Sequence, residues 1–318
     1  MSEPIRLRGP HEVLAAIPSL LGFRPQGSVV LLAIRPDGAV ACAARADLSD
    51  GPDLEEWSLS FLPAIEHSGE VHAILAGFAV PQDDERLAAC FAALTSVLRR
   101  RGCVVLDTIA VLGGRWRSIT CRDAECCPRE GWPVETLDED FMRVRMGVPS
   151  VAANRQELVD ELASATRTIV PPEQAMALHD RDAAIGGVLG FLIGDPCESW
   201  SMADALGALR DVRIRDTVLW DLMHEHVERW PDAARQLTTL VRTAPDEVLA
   251  SPATLLAVLR WQMGDGARAR IAVERALGAC PDYGLALLME GLLDHGQPPW
   301  TWRAALAELP RSACRGAG

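Results

Sequence analysis

The hydrophobic pattern of the chain changes near residue 147, and this change limits the folds that it can adopt. Before it, segments with the two-residue period of strands alternate with helix-period segments, in the order α-β-β-α-β-α-β-β. After Gly147-Val148-Pro149, the long apolar patterns all have a helical period, and prolines separate them. We therefore predict an α/β domain over residues 1–147, with helices packed on a mixed sheet, and an all-α domain over residues 153–318.

The α/β region contains one specific short-range signal. Two apolar runs, Ser28–Ile34 and residues 40–46, flank a Pro-Asp-Gly turn, which predicts a β-hairpin. A long helix is expected over residues 83–101, followed by a very apolar strand over residues 103–112. Residues 116–120 are then expected to pair with this strand or with the segment that follows the cysteine cluster described below.

The helical region contains a tetratricopeptide-like segment at residues 253–286. Ala269, Ala276 and Pro281 have the spacing of the small packing residues and the terminal proline of such a repeat, and Gly264 lies at its turn. The Trp and Tyr of the repeat's first helix are missing. A single repeat cannot bury its own apolar face, so we predict a tetratricopeptide-like helical hairpin inside a larger helical domain.

Lysine is absent, and all 31 basic residues are arginine. Chemistry that depends on a lysine amine is therefore excluded: Schiff bases, pyridoxal phosphate enzymes, P-loop nucleotide binding and protein kinase activity. The net charge of −13 argues against nucleic acid and anionic membranes as partners. The longest apolar stretch, residues 183–194, is too short to span a bilayer, and no secretory signal is recognised, so we expect a cytoplasmic protein.

Three cysteines within seven positions form the densest group of reactive side chains, namely Cys121, Cys126 and Cys127. If the flanking segments pair as a hairpin, Cys121 and Cys126 face each other with Cβ atoms about 5 Å apart, which permits a disulfide. Adjacent residues on a strand point to opposite faces, so only one of Cys126 and Cys127 can join Cys121 unless the chain turns there. Zinc binding would need a fourth ligand, and neither a second cysteine pair nor a local histidine is present. Packed thiols, a redox-labile pair and a zinc site stay open, and no cofactor is predicted.

Two other groups are candidates for function, although the pattern assigns no catalytic residue. Arg24, Arg45 and Asp47 lie at strand or loop edges, where they would line a polar cleft or form a structural ion pair. Trp300 and Trp302 would form a patch for a protein partner or pack in the interior. Neither group predicts an oligomeric state or identifies the partner.

Several segments together resemble an actinobacterial family known as domain of unknown function 4192. They cover nearly the whole chain and lie at residues 7–10, 17–25, 28–30, 45–48, 116–131 and 264–277. The resemblance implies an actinobacterial, cytoplasmic origin and brings no activity, cofactor or catalytic residue.

Three functions remain as expectations from the sequence. The first is a non-enzymatic interaction or regulatory protein whose helical half binds another protein. The second is a thiol-redox or metal-binding protein that uses the cysteine cluster. The third is an enzyme with an arginine and carboxylate cleft in the α/β domain.

Overall fold

A computed structural model describes residue 7 and residues 9–51, 53–148, 150–165, 181–195 and 200–314. The chain divides into two compact units. The first contains the residues up to Arg155 together with Asp294–Gly296, and the second contains Gln156–Leu293 and the residues from Gln297 onward. The boundary at Arg155 lies close to the change of pattern between residues 147 and 153.

The first unit is built on a mixed sheet of six strands, which confirms the predicted α/β class. The strand order is β2-β1-β3-β4-β5-β6, and only the β3–β4 pair is parallel. The strands are β1 (Ser28–Ile34), β2 (Val40–Asp47), β3 (His72–Ala79), β4 (Val105–Leu112), β5 (Arg115–Ser118) and β6 (Trp132–Pro133). β5 pairs with β4 on one side and with β6 on the other, so both pairings considered for residues 116–120 occur.

The predicted β1–β2 hairpin is confirmed. Its turn closes with a hydrogen bond from the backbone N–H of Arg35 to the carbonyl of Ala39, and Gly38 has φ +85°, a left-handed conformation that glycine adopts without strain. β1 is buried along its whole length, because β2 and β3 flank it and core side chains cover the sheet.

Among its described residues, the first unit contains five helices, α1 (Pro10–Leu21), α2 (Leu54–Leu59), α3 (Leu62–Glu66), α4 (Asp84–Arg100) and α5 (Glu139–Arg145). The sheet is covered by α2, α3 and α4, whereas α1 packs against α5. The core includes Leu75 of β3 and Leu94 of α4, and Cys90 and Cys103 are buried in it.

Residues 54–66 form two short helices in place of one continuous helix, since α2 ends at Leu59 and α3 begins at Leu62. Pro63 has no N–H to bond to the preceding turn, and the Phe61 ring is buried at the break. The break therefore lets the core accept the aromatic ring.

The described residues of the second unit form helices and no strand, in agreement with the predicted all-α half. These helices are α6 (Arg155–Glu161), α7 (Arg181–Ile193), α8 (Met202–Ala208), α9 (Val212–His224), α10 (Trp230–Thr243), α11 (Asp246–Gln262), α12 (Gly266–Ala279), α13 (Gly284–Asp294), α14 (Pro299–Ala307) and α15 (Arg311–Cys314). Gly187 of α7 lies against the ring of Trp200, which leaves no space for a Cβ atom. No helix among the described residues combines the length and the apolarity that crossing a bilayer requires.

The expectation that prolines separate the helical segments of this half is wrong at Pro252, since α11 continues through it. Proline in a helix removes one backbone hydrogen bond. Every residue from Val248 to Leu259 is buried, and this packing offsets the lost bond. α11 and α12 form a helical hairpin whose turn contains Gly264 at φ +83°, and the Asp265 carboxylate caps α12 by accepting a bond from the N–H of Arg268.

An ion pair with one buried partner holds the last described helix of this unit. The Arg311 guanidinium donates two hydrogen bonds, of 2.5 and 2.7 Å, to the carboxylate of Asp221. Asp221 is 2% exposed, so the pair holds its charge away from water. Trp220 donates from Nε1 to the carbonyl of Leu309 nearby, which ties the same segment to α9.

Candidate functional site

The three clustered cysteines lie together on the loop that joins β5 to β6. The sulfur atoms of Cys121, Cys126 and Cys127 are all within 4.8 Å of one another, and those of Cys126 and Cys127 are 3.9 Å apart. When the cysteine, histidine, aspartate and glutamate side chains of the described residues are compared, these three cysteines form a group close enough to hold one metal ion.

The first part of the loop is held by the carboxylate of Asp107 on β4. This carboxylate accepts hydrogen bonds from Ser118 Oγ at 2.6 Å, from Thr120 Oγ1 at 2.5 Å and from the Thr108 N–H at 2.7 Å. Ser118 Oγ in turn accepts a bond of 3.0 Å from the N–H of Cys121. A chain of hydrogen bonds therefore positions Cys121 from the neighbouring strand.

A tight turn brings the other two cysteines to Cys121. The carbonyl of Asp123 accepts a 2.7 Å bond from the N–H of Cys127, and its carboxylate accepts a 2.9 Å bond from the N–H of Glu125. The flanking segments do pair as a hairpin, β5 with β6, but the ladder does not extend to the cysteines because β5 ends at Ser118. The turn is what allows both Cys126 and Cys127 to join Cys121, which a continuous strand would not permit.

The far end of the loop is anchored at Gly131. This residue has φ +72°, and a Cβ atom there would lie 2.7 Å from the carbonyl oxygen of Trp116 on β5. Next to it, Trp132 pairs with Trp116 and donates from Nε1 to the carbonyl of Cys126 at 2.9 Å. Only glycine fits this close approach of the two chain segments.

The three thiols differ in exposure. Cys126 is exposed, Cys121 is partly buried, and Cys127 is 9% exposed. Burial raises the pKa of the Cys127 thiol to about 11, a hydrogen bond with the backbone of Ser118 lowers it in part, and the adjoining Cys121 and Cys126 side chains raise it further. Without a cation nearby, Cys127 therefore keeps its proton at neutral pH.

This arrangement is suited to bind one thiophilic cation. Thiolates are the preferred ligands of zinc and other soft metal ions, and three sulfurs this close together can share a single ion. Within the described residues, no histidine or carboxylate completes the group. The fourth position of a tetrahedral ion would thus fall to water or to a ligand from outside these residues.

The residues predicted to line a polar cleft are found in two places. Arg45 and Asp47 pair with each other along β2 at 2.5 Å, and the Arg45 guanidinium lies 5.9 Å from the centre of the Phe23 ring. Arg24 instead pairs with Glu139 of α5, with its Nε atom 2.8 Å from Oε2.

Arg24 and Glu139 line a pocket of about 260 Å³ in the first unit. Its other lining residues are Pro18, Ser19, Asp140, Arg143, Ser150 and Val151. Apart from Arg24, none of these residues is marked by a pattern in the sequence, because the pocket forms only when α1 meets α5, more than 100 residues away in the sequence. No local pattern marks such a site.

The two tryptophans proposed as a partner patch have different environments. Trp300 is 54% exposed on α14, whereas Trp302 is partly buried and packs edge-on against Trp261 at 6.3 Å between ring centres.

A family model described as "Domain of unknown function (DUF4192)" matches residues 10–190 and 193–300. Neither a curated protein nor a solved structure matches the chain. Because the match extends over nearly the whole sequence and includes the cysteine loop, the chain belongs to the DUF4192 family.

Proposed function

We propose that this protein binds one thiophilic metal ion, Zn²⁺ in the first instance, through Cys121, Cys126 and Cys127. The observation that carries the proposal is the approach of all three sulfur atoms to within 4.8 Å of one another. The sulfur–sulfur distances in a tetrahedral zinc site with Zn–S bonds of about 2.3 Å are close to 4 Å, so a small adjustment completes the geometry.

Packing of thiols in the core is the simplest competing explanation. Buried cysteines do occur elsewhere in the unit, as Cys90 and Cys103 show. In the loop, however, Cys126 is exposed and Cys121 is only partly buried, so their clustering is not a result of apolar burial. Their proximity comes from polar contacts, with Ser118 and Asp123 holding the backbone of all three.

A thiol redox pair is the second competing explanation. Reactive thiols in redox proteins have lowered pKa values, because the thiolate is the nucleophile. The pKa of Cys127 is raised instead, which makes this one thiol a poor nucleophile until a cation replaces its proton. A disulfide would engage only two of the three sulfur atoms, whereas a metal ion supplies the cation that Cys127 needs and engages all three.

The open fourth position distinguishes this site from a closed structural zinc site. Structural sites have four protein ligands, whereas sites with three leave a position for water or a substrate atom. The exposure of Cys126 places that position within reach of solvent. The site therefore suits an ion that exchanges a ligand or holds a reactive water molecule.

A protein-interaction role remains the second candidate, and it is favoured by exposed apolar side chains on the helical unit. Leu287 and Leu288 on α13 and Trp300 on α14 are 45%, 51% and 54% exposed. The α11–α12 hairpin adjoins α14 and has the spacing of a tetratricopeptide-like pair, an architecture that often presents binding surfaces. A cytoplasmic, actinobacterial protein with an unidentified protein partner fits this candidate.

Native mass spectrometry of protein purified without chelator, before and after addition of one equivalent of Zn²⁺ under reducing conditions, tests metal binding. The variants are Cys121→Ser and Cys127→Ser, and Cys280→Ser in the helical unit is the matched control. Substitution with Co²⁺ adds a second readout, since thiolate-to-cobalt absorption reports sulfur ligands directly.

We expect one ion per chain in the parent protein and in Cys280→Ser, and loss of the ion in both cluster variants. A parent protein that binds no Zn²⁺ or Co²⁺ in reduced form would overturn the proposal. A mass lower by two protons that reductant restores would support the redox explanation in its place.

A further inference from the structure

A second site in the first unit is independent of the cysteine loop. It is the pocket of about 260 Å³ between α1 and α5, where Arg24 and Glu139 form its central ion pair. Drug-sized ligands usually occupy pockets larger than about 300 Å³, so this one suits a smaller molecule. Most of its lining side chains are polar, and this favours a polar ligand over an apolar one.

The wall of the pocket is fixed by backbone bonds between distant segments. The Arg24 N–H donates to the carbonyl of Ala152 at 3.0 Å, and the Ala152 N–H donates to the carbonyl of Gly22 at 2.9 Å. These bonds hold Ser150 and Val151 beside the end of α1. The pocket is therefore formed by the fold before any ligand arrives, which lowers the cost of binding.

The ion pair leaves hydrogen-bonding atoms of both side chains available for a ligand, namely the terminal nitrogens of Arg24 and one carboxylate oxygen of Glu139. Arg24 uses only Nε toward Glu139, so its two terminal nitrogens make no hydrogen bond to any described residue. Glu139 uses only Oε2, and its second oxygen has no donor among the described residues. A guanidinium with both terminal nitrogens free is suited to bind a carboxylate, and a free carboxylate oxygen is suited to accept from an ammonium group.

Two further side chains give the pocket an additional polar character. The Ser19 residue is 8% exposed, and its hydroxyl lacks a hydrogen-bond partner in the described part of the chain. This oxygen has almost no accessible surface, so recognition of a ligand in the open pocket depends on Arg24 and Glu139 and not on the Ser19 hydroxyl. On the other side, Arg143 lines the pocket next to its own ion pair with Asp140 at 3.2 Å.

From these features we infer that the pocket binds a free α-amino acid. Such a molecule carries a carboxylate and an ammonium on one carbon, and Arg24 and Glu139 present the complementary charges side by side. An anion alone would meet the repulsion of two carboxylates, and a cation alone that of two guanidiniums. Pro18 and Val151 supply the apolar part of the wall for the ligand side chain.

Ligand-observed NMR with each standard α-amino acid, followed by calorimetry on those that bind, tests this inference on the full chain. The N-acetyl and carboxamide derivatives of each binder remove one charge at a time. Arg24→Gln and Glu139→Gln remove the two recognising charges. Arg100→Gln breaks an exposed ion pair with Glu55, 2.7 Å long, elsewhere in the same unit and is the matched control.

We expect at least one amino acid to bind. Its affinity should fall by about tenfold or more when either charge is removed from the ligand, and likewise in either pocket variant. Arg100→Gln is expected to bind as the parent does. The inference is overturned if no amino acid binds, if a derivative with one charge binds as tightly, or if Arg24→Gln leaves affinity unchanged. Should a pocket variant not fold, the derivative series on the parent protein decides the question.

Discussion

The approach of Gly131 to the backbone of Trp116 supports the cysteine loop, and a pair of glycine substitutions isolates its effect. Gly131 has φ +72°, and a Cβ atom there would lie 2.7 Å from the Trp116 carbonyl oxygen. Gly102 follows α4 in the same unit, has φ +76°, and has no atom within 4 Å of its Cβ position. Both alanine variants share the backbone strain, and only Gly131→Ala adds the collision.

The size of the difference follows from these two geometries. Alanine in the left-handed region costs about 1–2 kcal/mol, and the reduced entropy of the unfolded chain returns about 0.4–1 kcal/mol of it. Gly102→Ala should therefore lower the free energy of unfolding by about 1 kcal/mol. Gly131→Ala must also displace a strand backbone by a few tenths of an ångström, an overpacking cost of about 1–3 kcal/mol. We therefore expect Gly131→Ala to lower the free energy of unfolding by about 2–4 kcal/mol in total.

Hydrogen exchange measured by mass spectrometry on peptides from β4 and β5 gives the local opening free energy of the first unit. The overpacking cost of about 1–3 kcal/mol lowers the opening free energy of Gly131→Ala relative to Gly102→Ala. Because 1.4 kcal/mol corresponds to a factor of ten, the hydrogen-exchange protection factors should be about 5- to 150-fold lower in Gly131→Ala. Zn²⁺ affinity should fall in Gly131→Ala alone. Equal losses of protection in the two variants would refute the packing argument.

Four further predictions concern the Cys127 thiol and the helical unit. Below pH about 11, Zn²⁺ must displace the proton of Cys127, so chelator competition should show affinity rising with pH. In the metal-free protein, stability should fall as the pH rises from 9.0 toward about 11, because the folded state retains this proton longer than the unfolded state; urea titrations will measure this. Gly187→Ala should lose at least about 1–3 kcal/mol in thermal unfolding through collision with the ring that covers it, whereas Gly186→Ala, which has open space, should gain up to about 1 kcal/mol. Arg311→Ala should cost about 1–3 kcal/mol in urea unfolding because it leaves the buried Asp221 carboxylate without its partner.

Local chemistry explains which parts of the fold were predictable. The β1–β2 hairpin depends on a Pro-Asp-Gly turn between two apolar runs, and these signals lie within 20 residues of one another. The continuation of α11 through Pro252 was not predictable in this way, because it depends on burial by other helices. A local breaker is overridden when tertiary packing supplies more free energy than the lost hydrogen bond.

The two candidate sites also differ in whether neighbouring residues or the tertiary fold bring their groups together. The short spacing of Cys121 and Cys126 predicted that they lie close together, but Cys127 joins them only through the turn at Asp123. The pocket residues gave no signal, since Arg24 and Glu139 are 115 positions apart. Spacing in the sequence identifies a site when one loop supplies all of its groups, and it fails when the fold assembles them.

The loop between β5 and β6 has too little apolar burial to account for its own order. Of residues 119–131, only Cys127 and Gly131 are buried. Ordering a residue costs roughly 1–2 kcal/mol of backbone entropy, which the burial of one thiol cannot offset over thirteen positions. Hydrogen bonds to the Asp107 carboxylate hold the first part of the loop, and bonds from Arg115 and Trp132 to backbone carbonyls hold the last part. An ion bound by three sulfurs would link both parts of the turn, so metal affinity and loop stability become the same free energy. A chelator should then lower hydrogen-exchange protection in this loop while leaving β1 unchanged, and equal exchange with and without metal would contradict that link.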